Sequence, residues 1–407
     1  MSLFQPNGFL DNLTRVEIKK HLQKKKIVRA LYLNDSLSLA DLVKRLKLSA
    51  PTVQSLLDEL IKEEIVHQRG SGSSKGGRRP NLYGLMRNAL YVLSIDIGNY
   101  TTRLALFDSA NKKATPIKII TLELKNDISI VNHIYQCAQD LIKESGIDEN
   151  RILGVGIDMP GLVESEKGIN HSILHFDKPV GELFSALFKK PVIIENDAKT
   201  KALAEFRFGK AIGKKNVLVL HLGWGLGMGM VLNGKPYKGA RGFSGEFAHI
   251  PMADERGYLC HCGKRGCLET VASGATLTRL ALQAIEKGEM TLISKMAHNK
   301  TENITPELIL NAAQNGDQFA IGILSKIGFE LGKGISSLVQ VLNPEIIILG
   351  GPLSRAGSYL TTSIEQALQQ YTFAIIREQM ELTISELGDN ASLLGNVINV
   401  MESLIGD

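Results

Sequence analysis

A chain of 407 residues, 44% hydrophobic and 22% charged, is long enough for two or three domains and ordinary for a soluble globular protein, which excludes a disordered or fibrous polymer. No apolar run approaches the roughly eighteen residues a membrane span requires, and the polar start through Gln5, Asn7 and Asp11 lacks the order of a secretory signal. A cytoplasmic protein without membrane insertion is expected. The net charge of +5 is uneven: residues 1–90 carry 16 Lys and Arg against 8 Asp and Glu, the remainder 31 against 34. A basic head on a slightly acidic body is the footprint of a nucleic-acid-binding domain joined to something else.

From Thr14 to Leu33 the pattern is helical, with Ile27, Val28 and Leu31 behind the basic run Lys24-Lys25-Lys26. Ser38 to Asp41 is a capping box that opens a second helix with Leu39, Leu42, Val43 and Leu46 on one face. Ser49 caps a third helix, with Pro51 in its first turn and Val53, Leu56, Leu57, Leu60 and Ile61 as its apolar face. Two short helices joined by a tight turn read as a helix-turn-helix, and Thr52, Gln54 and Ser55 are placed to reach base edges in a major groove. A three-helix bundle that binds another protein is the plainer alternative. Ile65-Val66 and Asn81–Leu85 predict two strands around a Gly/Ser-rich wing in which Lys75, Arg78 and Arg79 suit phosphates or a narrow minor groove. Operator DNA is the expected partner, although a basic Gly/Ser segment is often only a solvated linker.

At Tyr91 the composition changes. Tyr91–Ile97 and Leu104–Asp108 predict strands around a turn at 98–102, with Asp96 at the strand end. Further strands are predicted at Ile152–Ile157, Pro191–Ile194, Val217–Leu222, Met228–Leu232 and Glu345–Leu349. Helices are predicted at Asp127–Ser145, Ala198–Arg207, Gly274–Lys287, Pro306–Asn315, Asp317–Val341, Ser358–Tyr371 and Ser392–Leu404. This mixed α/β order predicts helices packed on central sheets.

Three of the four cysteines, Cys260, Cys262 and Cys267, lie behind His249. Three thiolates and one imidazole make a closed tetrahedral zinc shell, and such shells are structural because no position stays open for water. A disulfide is the alternative, but the cysteines of Cys-x-Cys bridge each other poorly and an oxidising compartment is not expected. His261, inside the loop, is a rival fourth ligand; His249 is favoured because it lies outside. Glu246 and Glu269 bracket the knuckle, and Asn196 and Asp197 end one predicted strand and open a helix. Such convergent polar groups suit a small polyhydroxylated ligand. Asp197 on local grounds could equally be a helix N-cap.

The stretch Gly245-Glu246-Phe247-Ala248-His249, ten residues, then Cys260 to Glu269, resembles the signature of the ROK family of repressors, open reading frames and sugar kinases. Its pattern is Gly-Glu-x-Gly-His followed by Cys-x-Cys-Gly-x-x-Gly-Cys-Leu-Glu, from which only Ala248 departs. Gly77 to Pro80 likewise resembles the Gly-Arg-Pro tail of the winged helix in ROK repressors. The resemblance implies an α/β chain with an N-terminal winged helix-turn-helix on a two-lobed, actin-like (ribonuclease-H-like) body with ligand in the cleft. Expected domains are 1–88 for the head, 89–200 for the first lobe completed by a helix over 390–407, and 201–389 for the second lobe with the zinc site and a dimerisation surface. Asn196, Asp197, Glu246, His249 and Glu269 would hold a sugar or sugar phosphate, and a homodimer or tetramer is implied.

ROK kinases use Asp-x-Gly-Gly-Thr and Gly-Thr-Gly-x-Gly as phosphate loops. Here Asp96, Gly98, Gly223, Gly225 and Gly227 persist, but Asn99, Tyr100 and Trp224 replace small residues. Phosphoryl transfer needs backbone N–H groups close to the phosphates, which large side chains obstruct. The surviving glycines are weak evidence for ATP, since turns also need glycine. A sugar-responsive repressor in which Asp197 is a vestigial base is the favoured expectation. An ATP-dependent sugar kinase carrying a DNA-binding head is the alternative, and a scaffold that binds another protein is a third class.

Overall fold

A computed structural model of the chain describes residues 14–71, 80–253 and 256–405. Thr14 opens the first helix, α1 (Arg15–Asn34), through a capping box in which its hydroxyl accepts from the Glu17 amide while Glu17 accepts from Thr14. A two-residue strand, β1 (Leu37–Ser38), leads into α2 (Leu39–Leu46), whose Ser38–Asp41 capping box forms as the sequence predicts. Ser49 caps α3 (Ala50–Lys62), with Pro51 in its first turn where a missing N–H costs nothing. Val53, Leu56, Leu57 and Leu60 are buried, but Ile61 is 39% exposed and leaves the predicted apolar face. It follows the fully buried Leu60 and turns off the face that Val53, Leu56, Leu57 and Leu60 present to the core.

The wing is built from β2 (Val66–Ser71) antiparallel to β3 (Asn81–Leu85), with β1 on the other side of β3. The second predicted strand stands as drawn, and the first runs five residues further than the sequence predicts. Lys75, Arg78 and Arg79 lie outside the described residues.

Three strands follow: β4 (Tyr91–Ile97), β5 (Thr101–Asp108) and β6 (Lys118–Thr121). β5 starts three residues earlier than predicted because Thr101 and Thr102 pair with Thr121 and Ile120 of β6, a strand the sequence did not reveal. After α4 (Ile128–Ser145), β7 (Ile152–Met159) lies parallel to β4, and a small hairpin of β8 (Val163–Glu164) and β9 (Ile169–Asn170) follows. Then come α5 (Val180–Phe188) and β10 (Val192–Asn196), which closes a sheet of order β10-β7-β4-β5-β6.

A second sheet forms from β11 (Val217–Leu222), β12 (Leu226–Leu232), β13 (Lys235–Pro236), β14 (Ile346–Gly350) and β15 (Glu381–Ile384), in the order β13-β12-β11-β14-β15. Its helices are α6 (Asp197–Phe208), α7 (Glu269–Ala272), α8 (Gly274–Glu286), α9 (Leu292–Met296), α10 (Pro306–Gln314), α11 (Gln318–Leu342), α12 (Ser358–Tyr371) and α13 (Ala374–Arg377). β12 begins two residues earlier than expected because Gly227 lies inside the strand. A Cβ there would sit 2.8 Å from that of Ala198 on α6, so glycine is needed for the close approach of helix to sheet and not for a turn.

The last helix, α14 (Asn390–Ile405), returns to the first sheet. The chain divides into one unit ending at Asn196 and resuming at Ser392, and another spanning Asp197–Ala391. The head belongs to the first unit and shares its core. One apolar cluster runs from Ile27, Leu31 and Leu57 through Leu90, Val92, Phe107 and Leu153 to Leu393, Val397 and Val400 of α14. Polar bonds reinforce the junction: Tyr32 donates to Asn111 at 2.7 Å, and Arg151 donates to the Asn88 carbonyl at 2.9 Å. Among the described residues no helix is long and apolar enough to cross a membrane.

The basic run on α1 is split in its task. Lys24 is only 8% exposed and reaches Glu59 at 2.9 Å and Glu63 at 2.5 Å, which ties α1 to the far end of α3. Lys24→Met should lower the stability of the head by about 1–2 kcal/mol, since the partners are partly exposed and Glu63 loses its cation while Glu59 keeps Lys20. Denaturant unfolding checks this, and an unchanged midpoint would refute it.

Candidate functional site

The knuckle is shaped by its glycines and by a short turn. His249 ends a 3-10 turn over Phe247–His249, with Phe247 and Ala248 buried beneath it. Cys260 and Gly263 close a tight turn, the Gly263 N–H donating to the Cys260 carbonyl at 3.0 Å. Gly266 has φ +74, and a side chain there would run into the Ala253 carbonyl, so the loop can fold back only with glycine at this point. The chain then pairs Cys267 with Pro251 and enters α7.

This folding brings one ligand atom each from His249, Cys260, Cys262 and Cys267 within 4.8 Å of one another. Cys262 and Cys267 sulfurs are 3.6 Å apart, and Cys260 Sγ is 3.5 Å from His249 Nδ1. A tetrahedral zinc ion with ordinary bond lengths separates two sulfurs by about 3.8 Å and a sulfur from a nitrogen by about 3.6 Å. The donors therefore fit zinc in both chemistry and spacing. Burial pushes the Cys260 thiol up to about 12, so a free sulfur would keep its proton and a bound cation is what would draw it off. His261 Nδ1 lies 3.8 Å from Cys260 Sγ and 3.0 Å from Glu269 Oε1, and the hydrogen bond to Glu269 raises the imidazole above its usual value despite partial desolvation.

Asp197, Glu246, His249 and Glu269 are all carried by the second unit. Asp197 opens α6, and its Oδ2 is 2.7 Å from the Lys201 ammonium one helical turn on. Burial alone would raise this carboxyl, but the charges of Lys201 and His221 outweigh it and the net shift is downward. Glu246 keeps an exposed edge, yet partial desolvation raises its carboxyl. Lys199 and His249 oppose that shift, and the like charges of Asp197 and Glu269 add to it. Four of the predicted residues thus interact electrostatically. Asn196 ends β10 in the first unit, where its amide nitrogen donates to the Gly161 carbonyl at 3.1 Å and its backbone N–H to Glu195 at 2.9 Å. Lys201 does not stand out in the sequence, and His261 figures there only as a rival metal ligand, not as a partner of Glu269. The four-residue step from Asp197 along a predicted helix was the available signal for Lys201.

In the first loop, Asp96 is buried and engaged by Arg103, its cross-strand partner on β5, whose Nε donates at 2.9 Å. Gly98 N–H is taken by the Thr101 carbonyl at 2.9 Å, and Tyr100 projects with 58% exposure. In the second loop, the Gly223 and Trp224 carbonyls accept from the Gly274 and Ala275 amides at the start of α8. Trp224 is 47% exposed, and Gly225 lies against the Glu269 carboxylate. Gly223, Gly225 and Gly227 are not left-handed; close packing excludes a side chain at Gly227, whereas a Cβ would come within 3.3 Å of His221 at Gly223 and meet only ordinary contacts at Gly225.

On the head, Ser55 is exposed and Thr52 and Gln54 are half-buried at the start of α3. The Thr52 hydroxyl shares a hydrogen bond with Ser49, and Gln54 donates to Asp58 at 2.8 Å. A shallow groove runs along this face between Pro51, Gln54, Ser55, Asp58, Glu59 and Lys62.

A winged helix joined to two α/β units, with a Cys3His knuckle in the second, is the architecture of a DNA-binding head on an actin-like, two-lobed body. The chain belongs to the ROK family, whose model matches residues 92–402, and residues 22–67 match the winged helix-turn-helix DNA-binding model. It is 29% identical to the xylose repressor of Caldicellulosiruptor bescii, covering 95% of this chain and 97% of that one. It is 30% identical to the glucokinase of Halalkalibacterium halodurans over 75% of this chain and 93% of the enzyme, which leaves the head unmatched. A crystal structure described as a ROK family transcriptional regulator, homologue of the E. coli MLC protein, superposes with a TM-score of 0.79 at 26% identity, covering 94% and 97% of the two chains.

Cys262→Ser should lower stability by at least about 2 kcal/mol and reduce bound zinc, because metal-binding free energy acts here as local folding free energy. Elemental analysis of protein purified without chelators checks the ion. Absence of zinc from the wild type would refute the assignment.

Proposed function

We propose that this chain is a sugar-responsive transcriptional repressor in which sugar binding to the body lowers the affinity of the head for operator DNA. The observation that carries this reading is the winged helix sharing one apolar cluster with the first sheet of a ROK body. A head joined to the body through a packed core, and not through a loose tether, senses what the body binds.

Thr52, Gln54 and Ser55 are the candidate base-reading residues, with Lys75, Arg78 and Arg79 as candidate phosphate or minor-groove contacts. Asn196, Asp197, Glu246, His249 and Glu269 are the candidate sugar ligands, and the xylose repressor among the relatives makes a small sugar such as xylose the first to test. His249, Cys260, Cys262 and Cys267 would hold zinc, which supplies structural rigidity and no reaction chemistry when four protein ligands close its shell. The working division is 1–88 for the head, 89–200 with 390–407 for the first lobe, and 201–389 for the second. One winged helix reads few base pairs, so a homodimer or tetramer on a two-fold operator is part of the same proposal.

The protein should bind sugar without phosphorylating it at a useful rate. Tyr100 and Trp224 put bulk where phosphate oxygens approach in the kinase branch, and Asp96 is already engaged by Arg103. A coupled assay with ATP and hexoses or xylose should show no turnover in the usual kinase range of about 1–100 s⁻¹, and turnover in that range would overturn this part.

A ligand shifts DNA affinity only by its differential affinity for two states of the protein. With a typical coupling of about 1–3 kcal/mol, saturating sugar should weaken binding to a selected palindromic operator about 5- to 150-fold. By reciprocity, operator DNA should weaken sugar binding by the same factor. Equal sugar Kd values with and without the operator would show that the body does not control the head.

A further inference from the structure

We propose that Lys201 is a positioning residue that holds Asp197 as a charged hydrogen-bond acceptor for a sugar hydroxyl and makes it a poor proton-taking base. This rests on the reading that the site binds a sugar. Asp197 is the first residue of α6 and Lys201 lies one turn further along the same face, with Nζ 2.7 Å from Oδ2. The two side chains are 22% and 13% exposed, so solvent screens this pair less than an ordinary surface ion pair.

The remaining charges around Asp197 are few. The strands packed on α6 carry only His221, on β11, and Lys235, on β13, as ionisable residues; β12 carries none. His221 acts in the same sense as Lys201. On α6 itself, Lys199 is drawn to the Gly242 carbonyl, Glu205 accepts from Ser385 and the Lys210 amide, and Arg207 lies near the Phe206 ring. Glu246 is a like charge that interacts with Asp197. Lys201, with its ammonium 2.7 Å from Oδ2, is a direct ion-pair partner of the carboxylate.

The chemistry follows from that partner. A general base works best when its pKa lies near the working pH, and an ammonium in contact moves an aspartate the other way. The same contact costs nothing to hydrogen-bond acceptance, because a carboxylate oxygen keeps lone pairs free of the lysine. A sugar hydroxyl can therefore donate to Asp197 and retain its proton. The Lys201 ammonium also fixes the rotamer of Asp197, so the acceptor is oriented before ligand arrives.

The test uses the full-length chain and isothermal titration calorimetry with xylose and glucose from pH 4.5 to 8. In the wild type Asp197 should contribute a flat profile, within about twofold in sugar Kd, between pH 5 and pH 7.5, any acid limb there coming from Glu246, whose carboxyl is raised. In Lys201→Met the acid limb should rise by about 1–3 pH units, and binding should weaken at least about fivefold more at pH 5 than at pH 7.5. Lys201→Arg should restore the flat profile, which a loss of packing alone would not require. Asp197→Asn should bind weakly with no acid limb of its own. If K201M does not fold, Lys201→Gln serves for the same comparison. A K201M or K201Q profile that superimposes on the wild type overturns the proposal, as does an acid limb that persists in K201R. Failure of the wild type to bind any of a panel of free sugars at any pH is a different result, and it would overturn the sugar-binding reading from which this one is built.

Discussion

Four soft donors crowded into one small volume are the constraint on which the candidate site depends. Thiols at 3.6 Å and a thiol 3.5 Å from an imidazole nitrogen gain little from each other, and as thiolates they would repel. A divalent cation converts that repulsion into the strongest local attraction in the chain. The segment it would gather is the one that carries the chemistry. His249 stands three residues from Glu246, and Cys267 two from Glu269. The His261 side chain lies beside Cys260 Sγ at 3.8 Å and also holds Glu269, so the knuckle steadies that carboxylate both through the chain and through a side chain.

Much of this was legible in the sequence because it is local. The capping box at Ser38, the Ser49-Pro51 helix start and the ligand spacing of the knuckle are written within a few residues each, whereas the box at Thr14 was found only in the structure. The periodic segments gave their helices with ends shifted by one or two positions. What escaped was set by distant partners. β6 and β15 are short strands that exist because a neighbour pairs with them, and Ile61 is exposed although Leu60 beside it is fully buried. Glycine was the least readable residue. Gly227 looked like a loop residue and is a strand residue pressed against α6, a distinction that only the tertiary contact makes.

The candidate site divides in the same way. His249 and the three cysteines announce themselves by residue type, since few other sequences need that set at that spacing. Lys201 and Arg103 do not, because a lysine or arginine in a helix or strand is usually a solvated surface group. Their significance comes from which carboxylate they face, Asp197 in one case and Asp96 in the other. Both pairs occupy acidic groups at strand ends of the kind that phosphoryl transfer employs. In this fold each of the two carboxylates has a basic partner.

The apolar cluster that joins the head to the first sheet draws on both extremes of the chain, from Ile27 near its start to Val397 and Val400 near its finish. During synthesis the head emerges first, yet the core beneath it cannot close until α14 has left the ribosome. A polypeptide stalled or truncated before Asn390 would present a head on an unfinished foundation. The packing beneath the head is therefore complete only once α14 is in place.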